Sequence, residues 1–198
     1  MMKEGHYSCI VSDPPWHFKV RSPKGEGRSA SQHYGVASLD DLKSIPVASW
    51  AAPDCALIMW AIDPMLPQAL ELMSAWDFTF RTVCFYWVKT NRDGTPFTGM
   101  GFWTRACPEQ ALLGTRGHPK RLHKDVRRLI MAPRREHSRK PDEVISRIER
   151  LLPGPYLEMF ARERRPGWDA FGNECDKFAP ITPPVITFEK DFDEQSHY

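Results

Sequence analysis

Short apolar runs separated by polar segments recur along the chain, and their lengths predict a series of strands. The first run, Tyr7–Val11, is apolar and β-branched at its end, as buried strands are. Later runs of the same kind predict five more strands, at Cys55–Trp60, Thr82–Val88, Glu109–Gly114, Leu129–Met131 and Tyr156–Phe160. A sheet of buried strands is therefore the predicted centre of the fold.

In other segments the apolar residues recur at the spacing of a helix. Between the second and third predicted strands, one apolar stripe is formed by Met65, Leu66, Ala69, Leu70, Met73 and Trp76. A second helix is predicted to open with Pro141 at its first position and to stop before Pro153. Ser38 and Asp41 form a capping-box-like start for a short helix that ends before Pro46. The order strand, helix, strand predicts a parallel crossover and an α/β fold.

The first predicted strand ends in the sequence Ser12-Asp13-Pro14-Pro15-Trp16. Two prolines cannot continue a ladder of backbone hydrogen bonds, so a stiff turn must follow the strand. Ligands of open α/β sheets bind beyond the carboxyl ends of strands, which makes this turn a candidate site. The alternative is a purely structural turn whose tryptophan packs against the core.

The residue types in this turn suit an aromatic amine such as the 6-amino group of adenine. The lone pair of that amine is delocalised into the ring, so the amine needs hydrogen-bond acceptors before it attacks an electrophile. Asp13 offers a carboxylate, and Pro14 offers a backbone carbonyl whose direction the ring constrains. Trp16 offers a ring on which a base can stack.

Motifs spread over most of the chain resemble one enzyme family. Besides D-P-P-W they are Tyr34-Gly35, Ile45-Pro46-Val47, Trp87-Val88-Lys89-Thr90-Asn91, Lys140-Pro141-Asp142-Glu143, Ile148-Glu149-Arg150 and Gly172-Asn173. From about Cys9 to Asp176 the chain resembles the family of the catalytic subunit of the eukaryotic mRNA adenosine methyltransferase. The prokaryotic and phage relatives of that subunit are adenine-amine methyltransferases.

The resemblance implies a Rossmann-like α/β methyltransferase domain with a mostly parallel sheet flanked by helices. It also implies S-adenosylmethionine as the cofactor and a permuted order, in which the catalytic turn precedes the cofactor turn. In the catalytic turn, Asp13 and Pro14 would orient the amine, Pro15 would hold the turn and Trp16 would stack on the base. The implied cofactor-binding residues are Ser12, Lys89, Glu158, Arg162, Arg165, Asn173 and Glu174.

Lys89 is expected to pair with the cofactor carboxylate, although a surface lysine after a strand is the simpler interpretation without the resemblance. The chain departs from the family near the cofactor positions, with Ala161 where the family commonly has Gly and Glu174 where it has Gln. Relatives also carry a His-Asn pair near the position of Arg164-Arg165. No acidic residue before Tyr7 matches the one that contacts the cofactor adenine in relatives. Recognition of that adenine is thus left without an assigned residue.

Basic segments predict contacts with nucleic acid. The segment Arg116–Lys140 contains ten Lys or Arg residues and only two acidic residues. The whole chain, by contrast, has a net charge of only +2. The polar stretch His17–His33 predicts a basic loop that includes Lys24 and follows the catalytic turn. A solvated face and a disordered loop are the alternatives. The residues predicted to bind substrate are Lys19, Arg21, Arg28, Tyr34, Trp103, Arg105, Glu109, Arg127, Arg128, Arg134 and Arg135.

With 198 residues, 41% of them apolar, the chain suits one domain, expected at residues 1–178 with a Pro-rich, acidic tail at 179–198. Five cysteines without a C-x-x-C pair favour a reducing cytoplasm and predict neither a disulfide framework nor a metal site. No apolar stretch approaches the about 20 residues of a membrane span. A soluble, cytoplasmic protein is expected.

The predicted activity is methyl transfer from S-adenosylmethionine to the 6-amino group of adenine in nucleic acid. The base must be unpaired or flipped out of its helix to enter the site. DNA is favoured over RNA, and a homodimer or a partner subunit is possible. The alternative function is that of a catalytically silent nucleic-acid-binding subunit. Silent branches of the family usually lose the acid of D-P-P-W, whereas this chain keeps Asp13.

Overall fold

The protein is described here by a computed structural model that covers residues 2–16, 37–101, 103–136 and 139–178. The strands within these ranges are β1 (Tyr7–Ser12), β2 (Ala51–Ala61), β3 (Thr79–Thr90), β4 (Pro108–Arg116), β5 (Leu129–Pro133), β6 (Tyr156–Met159) and β7 (Trp168–Phe171). The helices are α1 (Leu39–Ser44), α2 (Val47–Trp50), α3 (Leu66–Ala75) and α4 (Asp142–Leu151), with a single 3-10 turn (Asp63–Met65) before α3.

The strands form one sheet in the order β5-β3-β4-β2-β1-β6-β7. Only β4, among the described strands, runs antiparallel to its neighbours β2 and β3, so the mostly parallel sheet expected from the sequence is confirmed. The segment β2-α3-β3 is the expected parallel crossover. However, β4 lies between the two strands that the crossover connects.

The strand directions place several loops at one edge of the sheet. The carboxyl ends of β1, β2, β3, β5, β6 and β7 all lie at the edge where β4 begins. We call this the carboxyl edge. Ligands of α/β sheets bind at such an edge, because there the loops converge beside exposed backbone ends.

Helices cover both faces of the sheet. On one face Leu72 and Met73 of α3 pack in a cluster with Leu57 and Met59 of β2. On the other face, helix α4 packs against the alternate residues of β2, Ala56, Ile58 and Trp60. Strand β2 is therefore apolar almost throughout, since both of its faces are buried.

Most element boundaries agree with the sequence-based expectations, with three corrections. Strand β7 and the one-turn helix α2 are not foreseen by the apolar pattern. Pro141 is the residue that caps α4, not its first helical residue. Phe160 does not extend β6, because its φ of 58° takes the chain out of the strand. The capping box of α1 is confirmed, since the Ser38 and Asp41 side chains each accept a backbone N–H of the other residue.

Some sequence-based assignments lie outside the described residues. They are the basic loop with Lys19, Arg21, Lys24, Arg28 and Tyr34, and the tail at residues 179–198. In the part of the chain that the structure does describe, no helix has the length and apolar character to cross a membrane. Nor do the described residues bring together three side chains capable of holding a metal ion.

We predict that Leu72→Ala lowers the free energy of unfolding by about 3 kcal/mol, because Leu72 is fully buried between α3 and the sheet. Urea unfolding followed by circular dichroism measures this loss. Ser74→Ala, on the exposed side of the same helix, is the matched control. An equal loss in the two variants would contradict the packing described here.

Candidate functional site

The turn after β1 is held in place at the carboxyl edge by backbone contacts. Ser12, the last residue of β1, is aligned with Met59 of β2 and with Met159 of β6. The Pro14 carbonyl accepts the Trp16 N–H at 2.8 Å, and the Pro15 carbonyl accepts a hydrogen bond from a neighbouring backbone amide. A carbonyl oxygen has two lone pairs, so that of Pro14 keeps one for a ligand.

Trp16 anchors this turn to the core. Its side chain is only 8% exposed, and its indole N–H donates to the backbone carbonyl of Trp60 at 3.2 Å. The ring is one member of the core cluster that also contains Leu72. This placement matches the structural alternative, in which the tryptophan packs against the core. Stacking of Trp16 on a base stays a prediction, and the observed contacts hold the turn that carries Asp13 against β2.

Four side chains of alternating charge cross the carboxyl edge beside Asp13. Lys140 Nζ lies 2.7 Å from Asp13 Oδ2 and 3.3 Å from Glu109 Oε2. The other oxygen of the Glu109 carboxylate accepts a hydrogen bond from Lys89. We call Lys89, Glu109, Lys140 and Asp13 the charge chain. Arg162 approaches its Asp13 end, with Nη2 at 3.8 Å from Oδ2.

The charge chain is shielded from solvent, and this sets its protonation. Burial alone would raise the pKa of Glu109, but the ammonium groups of Lys140 and Lys89 outweigh it and hold that pKa below its ordinary value. Burial alone would lower the pKa of Lys140, but the carboxylates of Asp13 and Glu109 raise it. Glu109 is thus held as a carboxylate and Lys140 as an ammonium ion.

Lys140 is the functional candidate that sequence reasoning missed. It lies just before Pro141, which caps α4, and its ammonium group also lies 5.0 Å from the centre of the Trp60 ring. In the sequence this lysine belongs to the family motif Lys140-Pro141-Asp142-Glu143 and ends the basic segment Arg116–Lys140, for which contacts with nucleic acid are predicted. No pairing with Asp13 is predicted for it. The sequence does contain a signal for this role, because Lys140 directly precedes a predicted helix that follows a predicted strand.

Lys89 and Glu109 are brought together by the sheet. Lys89 is near the end of β3 and Glu109 near the start of β4, and these strands are antiparallel neighbours. The Lys89 ammonium group, expected to pair with a cofactor carboxylate, pairs with Glu109 in this structure. Glu109, expected near the substrate, does lie in the charge chain that ends at Asp13.

A cleft opens beside Asp13, between the ends of β1 and β6 and the start of α4. Its lining combines cationic, acidic and apolar side chains, including Asp13, Lys140, Glu158, Arg162, Arg165, Val11, Val144, Ile145 and Phe160. Of the predicted cofactor-binding residues, Glu158, Arg162 and Arg165 therefore line one concave surface with Asp13. The cleft has both charged and apolar walls, as sites for polar metabolites do.

The inner wall of the cleft is an ion-pair network. Arg165 Nε lies 3.3 Å from Glu158 Oε2, and Arg165 also pairs with Asp142 at 3.3 Å. Glu163 is 3% exposed and is contacted by both Arg165 and Arg139. Burial raises the pKa of Glu158, and the Arg165 guanidinium only partly offsets that rise. Glu158 is thus an acid that a bound cation or hydroxyl would stabilise.

One buried polar atom and one strained residue in the cleft wall indicate a ligand site. Among the described residues, three side-chain atoms are buried without a hydrogen-bond partner, namely Arg139 Nε, Ser12 Oγ and Gln68 Oε1. Arg139 lines the cleft, Ser12 lies between the lining residues Val11 and Asp13, and Gln68 lies on α3. Buried polar atoms are normally satisfied, so such exceptions indicate a missing ligand or water. Phe160 lines the cleft with a φ of 58°, a conformation that costs energy for a residue with a side chain.

The remaining predicted cofactor residues lie in the turn after β7. Gly172 packs so closely on Ala161 that an added Cβ would approach the Ala161 nitrogen to 3.0 Å. This contact sets the turn beside the loop that carries Arg162. Asn173 is exposed, and Glu174 pairs with Lys177 at 2.8 Å. Neither Asn173 nor Glu174 lines the cleft in this structure.

The topology divides the four predicted phosphate-binding arginines into two pairs. Arg134 and Arg135 directly follow β5 and so lie at the carboxyl edge. Arg127 and Arg128 precede β5 and lie at the opposite edge. Arg134 is exposed and packs its guanidinium 3.6 Å from the centre of the Phe97 ring, whereas Arg135 pairs with Asp142 at 2.8 Å. The structure therefore does not bring the four together as one surface.

Two other predicted substrate residues lie in the long connection between β3 and β4. Trp103 and Arg105 are both exposed there. Because β3 ends and β4 begins at the carboxyl edge, this connection belongs to the same edge as Asp13. Lys19, Arg21, Arg28 and Tyr34 lie outside the described residues.

A family model and several known proteins match this sequence. Residues 7–174 match the model of the MT-A70 family. The chain belongs to the MT-A70 family. It is 32% identical over 186 residues to the type II methyltransferase M.MunI of a Mycoplasma species, covering 85% of this chain and 77% of that protein. It is also 30% identical over 190 residues to the human N(6)-adenosine-methyltransferase catalytic subunit METTL3.

The METTL3 match covers 92% of this chain but only 30% of the human protein. An N(6)-adenosine-methyltransferase MT-A70-like protein of Drosophila melanogaster is similar to the same extent, with 30% identity over 94% of this chain and 30% of the fly protein. The chain thus corresponds to less than a third of these two animal relatives. The family resemblance inferred from the D-P-P-W turn and its companion motifs is confirmed.

We predict that Glu109→Gln lowers the free energy of unfolding by about 3 kcal/mol near neutral pH, because it removes one carboxylate from between two buried ammonium groups. The pKa of Glu109 is lower in the folded protein than in the unfolded chain. Its contribution is therefore complete above the unfolded pKa and is lost as the pH falls through the folded pKa. Urea unfolding across acidic to neutral buffers should show the difference between wild type and variant shrinking in acid.

Glu71→Gln is the matched control for this experiment, because Glu71 pairs with Lys43 at the solvent-exposed surface. Solvent screens such a pair, so its removal should change stability much less at every pH. The assignment of the charge chain would be contradicted if the loss of unfolding free energy in Glu109→Gln grew in acid. It would also be contradicted if that loss equalled the loss in Glu71→Gln.

Proposed function

We propose that this chain transfers a methyl group from S-adenosylmethionine to the 6-amino group of an adenine in nucleic acid. The observation that carries the proposal is the position of Asp13, which lies at the end of a charge chain and on the wall of a cleft with unsatisfied buried polar atoms. Membership of the MT-A70 family, which includes N(6)-adenosine-methyltransferases among its relatives, supports the same chemistry.

Asp13 and Pro14 are the proposed acceptors for the two hydrogens of the amine. The carboxylate directly follows β1 on a turn that Trp16 holds against β2, and the free lone pair of the Pro14 carbonyl lies on the same turn. Accepting both hydrogens concentrates electron density on the amine nitrogen and leaves its lone pair aimed at the methyl donor. Orientation of this kind contributes a large share of enzymatic rate acceleration, up to roughly 7–11 kcal/mol.

Lys140 is proposed to hold Asp13 ionised and in place before the amine arrives. In the structure its ammonium group occupies one oxygen of the Asp13 carboxylate and is retained by Glu109 on its other side. The second Asp13 oxygen is then available to the amine. No general base is required, because the nitrogen becomes acidic once it carries the methyl group and releases its proton to nearby acceptors.

The residues of the cleft fit S-adenosylmethionine. This cofactor supplies a methyl group on a positively charged sulfur, together with a carboxylate, an ammonium group and a ribose. Arg162 and Arg165 are guanidinium donors for a carboxylate, and Glu158 is an acceptor for the ribose hydroxyls or the ammonium group. Buried Ser12 Oγ and Arg139 Nε are left to bond a ligand, and Asp13 and Glu158 supply negative charge.

Lys89, Asn173 and Glu174 retain proposed cofactor contacts on the strength of the resemblance. A ligand carboxylate reaching Lys89 would compete with Glu109 for its ammonium group. For the substrate we propose DNA, with RNA as the alternative, and an unpaired or flipped adenine in either case. Arg134, which is exposed at the carboxyl edge, is a proposed phosphate contact on the same edge as the site.

We predict that Asp13→Asn reduces methyl transfer at least about a hundredfold, because an amide replaces the charged acceptor aimed at the amine. The same variant should bind S-adenosylmethionine within a few-fold of wild type. Transfer of a labelled methyl group to DNA and RNA oligonucleotides measures the first quantity, and calorimetry measures the second. Asp125→Asn, an exposed carboxylate paired with Arg150, is the matched control and should retain full activity.

If Asp13→Asn lost activity and cofactor affinity equally, Asp13 would be assigned to cofactor binding and not to the amine. A wild-type protein that binds cofactor and nucleic acid without any transfer would instead favour a silent subunit. The comparison of DNA with RNA in the same assay decides between the two substrate classes.

We also predict that Arg134→Ala weakens nucleic-acid binding several-fold and reduces the slope of log affinity against log salt by about 1, because one phosphate contact is lost. Arg127→Ala, at the opposite edge, is the control and should change neither quantity. Fluorescence anisotropy of labelled oligonucleotides over a salt series measures both. An equal effect of the two substitutions would show that the nucleic acid does not lie along the carboxyl edge alone.

A further inference from the structure

Trp103 is the most exposed large apolar side chain in the described part of the molecule. It is 95% exposed, far more than Met100 at 60% or Phe80 at 43%. A side chain that contacts so little of its own protein contributes little to folding. The described residues cover almost none of this ring, so the indole is available to contact a ligand.

The turn that carries Trp103 is tight and strained. Trp103 has a φ of 72°, in the left-handed region that residues with a side chain rarely adopt. The Gly99 N–H donates to the Ala106 carbonyl at 2.9 Å and closes the turn. At Gly101 an added Cβ would approach the Thr104 carbonyl oxygen to 1.8 Å, so only glycine fits. Strain of this kind is concentrated at functional sites, and here it presents an indole to solvent.

This turn is attached at both ends to the charge chain. Phe97 N–H and the Cys107 thiol both donate to the backbone carbonyl of Lys89, at 2.8 and 3.3 Å. Glu109 follows the turn closely in the sequence, as the second residue of β4. On the outer side Arg134 packs over the Phe97 ring and ties the same connection to the end of β5. The indole therefore projects from the carboxyl edge, which also carries Asp13.

Charge around the turn favours a polyanion as the partner. In the connection between β3 and β4, Arg92 and Arg105 are opposed by a single acid, Asp93, and Arg134 is adjacent. Cations beside an exposed aromatic ring are the combination that binds stacked bases and their phosphates. A protein partner would more commonly meet an apolar patch of several side chains, whereas the connection that carries Trp103 combines exposed Met100 with the basic residues Arg92 and Arg105.

We propose that Trp103 is a wedge that enters the base stack of duplex DNA next to the target adenine and occupies the space that the flipped base leaves. This inference rests on the proposed function, because a wedge is needed only if the adenine is taken out of a helix. Extruding a paired base sacrifices its stacking and pairing. An inserted indole restores stacking on the neighbouring bases and stabilises the flipped state.

The test compares Trp103→Ala and Trp103→Phe on three DNA substrates of one sequence. The target adenine is paired with thymine in the first, faces an abasic site in the second, and is single-stranded in the third. Trp103→Ala should slow methylation of the paired duplex about tenfold to a hundredfold, the worth of one aromatic–base stack. It should slow methylation of the abasic-site duplex less, because only stacking is lost there when the base leaves the helix, and it should leave the single-stranded substrate within about twofold of wild type. Trp103→Phe should restore part of the loss, and Phe80→Ala at the opposite edge is the matched control.

A second measurement needs no turnover. With 2-aminopurine in place of the target adenine, binding of wild-type protein should raise the fluorescence of the paired duplex, and Trp103→Ala should abolish most of that rise. If the protein methylates nothing but the fluorescence rises and depends on Trp103, the proposed activity fails while the wedge stands. Equal losses on all three substrates, unchanged activity on the paired duplex, or a change in oligomeric state on sedimentation would overturn the wedge.

Discussion

A buried ammonium group holds the carboxyl edge of this protein together. Lys140 lies between the carboxylates of Asp13, directly after β1, and Glu109 on β4. Its charge also faces the ring of Trp60 on β2. These three strands are neighbours in the sheet, so one side chain links all of them. A cation withdrawn from water is tolerated only when it is paired, and here both partners are charged. Removing either carboxylate would leave that cation undercompensated.

The direction of β4 makes this arrangement possible. Because β4 runs antiparallel to its neighbours, its first residues lie at the edge where the other strands end. Glu109 thereby reaches the same edge as Lys89 and Asp13, although it begins a strand. In an all-parallel sheet an acid at the start of a strand would lie at the opposite edge. One reversed strand therefore adds an acid to the carboxyl edge without lengthening any loop.

The site separates two electrostatic environments around Asp13. On one side the charge chain fixes the ionisation of Glu109 and Lys140 by mutual attraction. On the other side the cleft keeps unsatisfied groups, with Glu158 only partly neutralised by Arg165 and with Ser12 Oγ buried without a partner among the described residues. The first environment positions the proposed amine acceptor, and the second leaves binding capacity for a ligand. A methyl transferase needs both functions within a few ångströms.

Local sequence determined most elements of the fold and the turn that carries the candidate site. Strand and helix patterns depend on the spacing of neighbouring residues, so β1, α3 and the capping box of α1 follow from short segments. The two prolines of D-P-P-W impose a stiff turn in any context. The family resemblance follows from such local motifs in combination, and it located Asp13 and the strand that contains Glu158.

Tertiary structure decided what distant segments do together. Whether the Trp16 indole anchors its turn depends on whether the Trp60 carbonyl lies within hydrogen-bond reach. The role of Lys140 exists only because β1 and β4 are two strands apart. The four arginines around β5 look alike in the sequence, but the strand between them sends the two pairs to opposite edges. Such relations join residues far apart in the chain, and the register of the sheet alone determines which of them meet.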